Sequence, residues 1–216
     1  GAGCLTLACM ILQNIPIDFL SIAVASFFVY AMHVLNRLTG SSQARLIGSF
    51  REKSYLRHEK AYRTAAVVSL VLALGLSLKQ NVFSFVFLFL MSLAGGLYNM
   101  KILPGKKRFQ RLRDIPGSKN LFTATAWGMV TAVLPALQNS HVFHPGIVIA
   151  FFFTLVLVFI RSAMSDIMDI QSDKLLGRET IPVLIGSEKT QRFLKFILLI
   201  LLVILLIAHP AGWSST

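Results

Sequence analysis

Three aspartates, Asp166, Asp169 and Asp173, stand in the stretch "RSAMSDIMDIQSDKLLGRET", residues 161–180. On a helix that turns about 100° per residue they fall within about 60° of one another. Carboxylates held that close repel and raise one another's pKa, so the stripe calls for a positive partner. Arg161 and Lys174 can act as ordinary ion-pair partners from the same segment. Mg²⁺ is the alternative, because it binds carboxylates together with water and phosphate oxygens. A plain solvated face at a helix mouth is the third reading.

A second cluster bears on that choice. The stretch "KILPGKKRFQRLRDIPGSKN", residues 101–120, supplies Lys101, Lys106, Lys107, Arg108, Arg111, Arg113 and Lys119. Cations beside a carboxylate–metal site suit a diphosphate. The same residues suit lipid headgroups, and Asp114 can simply pair with Arg111 or Arg113. His33, three residues before Asn36 on one helical face, is either a packed histidine or a ligand.

The elements that must position these groups are membrane helices. The chain has 216 residues, 55% of them hydrophobic, and a mean hydropathy of +0.70. Apolar runs predict spans near 16–36, 61–79, 82–100, 120–137, 146–165 and 193–209. Each is about long enough to cross a ~30 Å hydrocarbon core at 1.5 Å per residue. The chain starts inside an apolar run too short to span and stops just after the sixth span, which reads as a single domain over 1–216, truncated at both ends.

The formal charge of +12 sits in three blocks, 37–63, 101–119 and 161–195, with Lys79 the one basic residue outside them. The links between the blocks are nearly uncharged. That is the positive-inside pattern, so the basic loops should face the cytoplasm and the charge is no sign of a nucleic-acid surface. Gly95 and Gly96 should let helices approach closely. Pro135 reads as a terminal proline or a kink. Gly177 should stop the extended helix after 146–165, with a short apolar return before Gly186. Cys4 and Cys9 read as packed thiols.

"SDIMDIQSDKLLGRETIPVLIG" resembles the second aspartate-rich motif of the UbiA superfamily of intramembrane prenyltransferases. "GGLYNMKILPGKKRFQRLRDIPGSKNLFTATAWG" is similar to that family's middle region, and the likeness covers about 16–190. The resemblance implies an all-α polytopic bundle with about six or seven of nine helices present. It implies Mg²⁺ and a prenyl diphosphate held by two acidic motifs at the cytoplasmic end, and a prenyl tail in an apolar cavity. Asp166, Asp169, Asp173 and Asn36 would then be the metal and catalytic residues. Arg37, Lys107, Arg108 and Lys119 would bind diphosphate, and Tyr98 would face the cavity.

The first motif departs from the family's Asn-Asp-x-x-Asp-x-x-x-Asp. Here it reads "NRLTGSSQA": Asn36 matches, but Arg37, Gly40 and Ala44 replace the three aspartates. Arg37 can neutralise phosphate where a metal would otherwise stand. The leading expectation is Mg²⁺-dependent prenyl transfer to an aromatic or quinonoid acceptor, within a bacterial-type inner membrane. The alternative is a non-catalytic protein of the same fold that binds an isoprenoid or quinone. A transporter of organic anions would need a polar path, and the outer helix halves carry few ionisable residues.

Overall fold

The computed structural model describes residues 1–39, 57–99, 117–138, 145–175 and 177–208. Lys107, Arg108 and Asp114 lie outside them. The described residues form nine helices and no strand: α1 (Ala2–Leu12), α2 (Phe19–Thr39), α3 (Glu59–Gln80), α4 (Val82–Asn99), α5 (Ser118–Gln138), α6 (Pro145–Met168), α7 (Ile170–Leu175), α8 (Ile181–Ile185) and α9 (Ser187–Ala208). In lipid every backbone polar group must find its partner inside the segment, which is why each apolar run becomes a helix. Five of the helices, of 20 to 24 residues, are long and apolar enough to cross a membrane, and α1 and α4 are shorter apolar helices.

One boundary differs clearly from expectation. Helix α9 begins at Ser187, six residues before the apolar run. Its charged first turns are stabilised as helix by pairs such as Glu188–Arg192, 3.7 Å apart at i, i+4. Helix α6 runs on to Met168, the expected extension past residue 165, because a helix can continue through polar residues once it leaves the hydrocarbon.

Between α3 and α4 the chain reverses at a single extended residue, Asn81, whose side-chain oxygen accepts the Ser84 N–H at 2.6 Å and starts α4. Small residues set the helix spacing. A β-carbon on Gly95 would overlap Met32 of α2, whereas Gly96 faces open space. A β-carbon on Gly128 would stand 2.9 Å from the Phe151 ring and 3.2 Å from the Phe151 carbonyl, so α5 and α6 meet nearly backbone to backbone.

Helix α5 is not uniform. Met129–Val133 is a π segment, set between Ser118–Gly128 and Leu134–Gln138. Pro135 lies just beyond it, so the irregularity precedes the proline. Gln13 Nε2 donates to the Ala132 carbonyl at 3.1 Å, and the hydroxyls of Thr131 and Thr154 meet beside the buried Cys9 thiol. Cys9 is a packed thiol, while Cys4 is exposed.

At the far end of the bundle a polar ring ties three helices. Asp18 accepts the Leu20 and Ser21 N–H groups at 3.0 and 2.9 Å and caps α2. Gln80, ending α3, donates to Asp18 Oδ2 and Ser21 Oγ at 3.2 Å each, and Gln138, ending α5, joins both Ser21 and Gln80. Burial pushes the Asp18 carboxyl up, but hydrogen bonds from Ser21, Leu20 and Gln80 together outweigh it and hold it below the usual carboxylate range. Asp18→Ala should therefore cost about 1 kcal/mol of stability near neutral pH. Because the folded-state pKa is lowered, that contribution is complete above the unfolded pKa and disappears as pH falls through the folded one. Thermal unfolding of both forms in detergent across acid pH should show the gap closing.

Candidate active site

The site lies at the other end of the bundle, where α6 passes into α7 and α5 begins. The α6–α7 junction keeps its helical register: the Asp169 N–H donates to Ser165 at 3.1 Å and the Asp173 N–H to Asp169 at 2.9 Å. Positions 166 and 173 then differ by about 20° around the axis, and position 169 sits about 60° from 166. Burial follows that phase. Asp166 and Asp173 are both buried, 5% exposed each, whereas Asp169 is exposed.

Each buried carboxylate has its own cation, and neither is Arg161 or Lys174. Lys119, in the first turn of α5, brings Nζ to 3.6 Å from Asp166 Oδ1 while its side chain stays 64% exposed. Arg178 stands 3.5 Å from Asp173 Oδ1. Local backbone explains the second pair. Gly177 takes a left-handed φ of 64°, its N–H donates to Lys174, and the Arg178 N–H donates back to the Asp173 carbonyl at 2.9 Å. This glycine-led reversal lays Arg178 over Asp173. The same turn leads into α8, which ends at Gly186 as the sequence suggested.

The strongest contact on Asp166 comes from a residue that sequence reasoning passed over. Asn120, 1% exposed, donates from Nδ2 to Asp166 Oδ2 at 2.7 Å and accepts from Ser162 Oγ at 2.7 Å. Both its polar ends are used, so Ser162, Asn120 and Asp166 form a chain that fixes the carboxylate. A polar pair, "KN", at the very start of an apolar helix was the available signal.

Asp173 feels its surroundings differently. Burial pushes its carboxyl up; Arg178 opposes this, Asp166 adds to it, and Lys119 opposes it, leaving the group above the ordinary range. The influence of Asp166 and Lys119 on Asp173 places all three in one electrostatic unit.

Tyr98 is buried, stacked on Phe122 with ring centres 4.0 Å apart, and its hydroxyl is 3.4 Å from Ser118 Oγ. It packs against the first turn of α5 next to Lys119. Asn36 and Arg37 are half-buried on the last described turns of α2. Arg37, Lys119 and Arg161 all act electrostatically on His33. Arg37 thus shares a corner with Lys119.

Two buried carboxylates with exposed approaches fit Mg²⁺, which takes one or two carboxylates and completes its shell with phosphate oxygens and water. They do not form a protein cage. Among the described residues no three His, Cys, Asp or Glu groups gather around one point, because Asp169 turns outward.

The UbiA prenyltransferase family matches residues 56–216. The chain belongs to that family. Its fold agrees with a UbiA-type assignment: a solved structure from work on digeranylgeranylglyceryl phosphate synthase in membranes superposes with a TM-score of 0.62 at 20% identity, covering 100% of this chain and 74% of that one. No curated protein sequence matches the chain. UbiA membership and the apolar helices make this an integral membrane protein of the prenyltransferase class.

Proposed function

We propose that the protein transfers a prenyl group from a prenyl diphosphate to an acceptor, most simply an aromatic ring, in a Mg²⁺-dependent reaction within the membrane. The observation that carries this reading is the pair of buried carboxylates, Asp166 and Asp173, set among Lys119, Arg178 and Asn120 at one helix end.

In this reading Asp166 and Asp173 hold the metal with the diphosphate. Asp169, exposed beside them, is a further ligand once substrate arrives, and Asn36 assists from α2. Lys119 and Arg37 bind the phosphate oxygens, joined by Lys107 and Arg108 of the basic loop. Bound Mg²⁺ supplies charge neutralisation for the departing diphosphate. The allylic C–O bond breaks and its electron pair leaves with the diphosphate. The acceptor's π electrons form the new bond to the allylic carbon, and the ring proton departs to a base or to water. An apolar wall keeps water from the cation.

A groove of about 560 Å³ supports placing the tail here. It begins at Ser118, beside Lys119, and runs between α5, α6 and α9 past Leu121, Leu155, Phe159, Phe193 and Ile197. The basic blocks support a reading in which this end faces the cytoplasm at an inner membrane. Arg37 at the position of a motif-one aspartate supports a second reading, a protein that binds the isoprenoid diphosphate without reacting it.

The test is pyrophosphate release from geranyl, farnesyl and geranylgeranyl diphosphates, using membranes with the full-length protein, phenolic and quinonoid acceptors, and Mg²⁺ present or chelated. Release that needs both Mg²⁺ and acceptor establishes the transferase. Tight binding of intact diphosphate with no release selects the binding protein.

A further inference from the structure

The two buried carboxylates are not held alike. Asp166 has two side-chain partners, the Asn120 amide at 2.7 Å and the Lys119 ammonium at 3.6 Å. Among the described residues Asp173 has one, Arg178, and the hold is loose. A single Nη1–Oδ1 approach of 3.5 Å joins them. A guanidinium fork can give a carboxylate two parallel hydrogen bonds of about 2.7–2.9 Å. The Arg178 side chain is 34% exposed and that of Asp173 is 7% exposed, so the cation can withdraw into water and the anion cannot. The backbone survives such a withdrawal, because the Arg178 N–H donates to the Asp173 carbonyl at 2.9 Å.

The turn that carries Arg178 is under-bonded elsewhere as well. Thr180 stands at the N-cap of α8, yet its hydroxyl caps nothing and is buried without a hydrogen-bond partner. Next in the chain, Ile181 packs 3.3 Å from where a β-carbon on Gly117 would stand, and it lines the larger groove with Gly117 and Ser118. The segment 178–181 thus touches the carboxylate at one end and the groove at the other.

A buried carboxylate needs a counter-charge whether or not a metal is bound. A guanidinium 3.5 Å from a carboxylate oxygen supplies that charge and repels a divalent cation from the same group. We propose that Arg178 is the resident counter-ion of Asp173 in the metal-free protein, competes there with the divalent cation, and yields the carboxylate when the donor's diphosphate arrives to receive the guanidinium. Metal alone then binds weakly, and metal and donor load together. Arg178 acts through Asp173, as a positioning residue. The inference rests on the metal-site reading above and adds an order of loading to it.

The test is Mn²⁺ binding to the full-length protein in detergent, read from the paramagnetic resonance signal of the free ion, with and without a prenyl thiodiphosphate. In the wild type the thiodiphosphate should tighten Mn²⁺ binding tenfold or more. Arg178→Met and Arg178→Gln should bind Mn²⁺ alone at least fivefold tighter than the wild type, and the tightening by thiodiphosphate should shrink by at least that factor. Linkage requires Mn²⁺ to tighten the thiodiphosphate by the same reduced factor. Arg178→Lys, which keeps the charge, should stay within threefold of the wild type. In an Asp173→Asn background the difference between Arg178 and its neutral variants should vanish. Metal-free Arg178→Met should melt below the wild type, and saturating Mn²⁺ should narrow the gap. Glutamine keeps a donor for Asp173 and guards against loss of the fold. Mn²⁺ binding that weakens or stays the same in both neutral variants overturns the proposal and makes Arg178 a fixed support for Asp173, with the metal site intact. An equal gain in Arg178→Lys overturns it too. A wild type that binds no Mn²⁺ with or without thiodiphosphate, and releases pyrophosphate without divalent cations, overturns the metal reading itself and this inference with it.

Discussion

Asp166→Asn should lower prenyl transfer by about three orders of magnitude, roughly 4 kcal/mol of transition-state stabilisation, in a protein that still folds. The substitution keeps the shape of the side chain and one oxygen to accept from Asn120. It removes the negative charge that Lys119 faces at 3.6 Å and that a metal would need. Binding of the prenyl diphosphate in the absence of Mg²⁺ should change little, because Lys119 and Arg37 remain. The loss should therefore appear in kcat and in the Mg²⁺ requirement. Pyrophosphate release measured across Mg²⁺ concentrations checks this, and a variant retaining a tenth of the rate would remove Asp166 from the metal site. Asp169→Asn, at an exposed position, should cost less.

Asn120→Leu should cost about 10- to 100-fold, the range for losing a partner that orients a metal ligand. Leucine fills a similar volume but breaks the chain from Ser162 to Asp166, leaving the Ser162 hydroxyl and one carboxylate oxygen in a buried place without their partner. Stability should fall as well, so rate alone does not separate positioning from folding. The Mg²⁺ concentration for half-maximal activity does. It should rise for Asn120→Leu and far less for Ser162→Ala, which leaves the direct bond intact. An unchanged Mg²⁺ requirement would make Asn120 a packing residue only.

The membrane helices were legible because hydrophobicity over twenty residues needs no tertiary information. The apolar centres of α2 to α6 appear where hydropathy places them. The start of α9 did not, because the charged turn Ser187–Arg192 has the composition of a loop and the pairing of a helix. In the site, the aspartate stripe was visible from spacing, and so was the glycine stop at Gly177. Which cation meets which carboxylate was not visible. Lys119 reaches Asp166 across 47 residues of sequence, and Arg178 reaches Asp173 through a left-handed turn. Arg161, the nearest cation along the helix, faces the other way for want of only a few residues of phase. Asn120 was hidden by its neighbours: in a run of seven cations an amide draws no notice until its burial is known.

The π segment at Met129–Val133 has a consequence for comparing this chain with its relatives. One extra residue in a turn rotates everything beyond it by about 100°. Before it, Asn120 and Gly128 look toward α6; after it, Leu134 and Gln138 look toward α2 and α3. The helix works like a crankshaft with two throws, one facing the candidate site and one facing the polar ring at the other end. A relative lacking that one residue would match this chain through either throw but not both. A gap-free alignment would then assign the wrong facing residues to one half, and the gap belongs inside 129–133 rather than in the loops on either side.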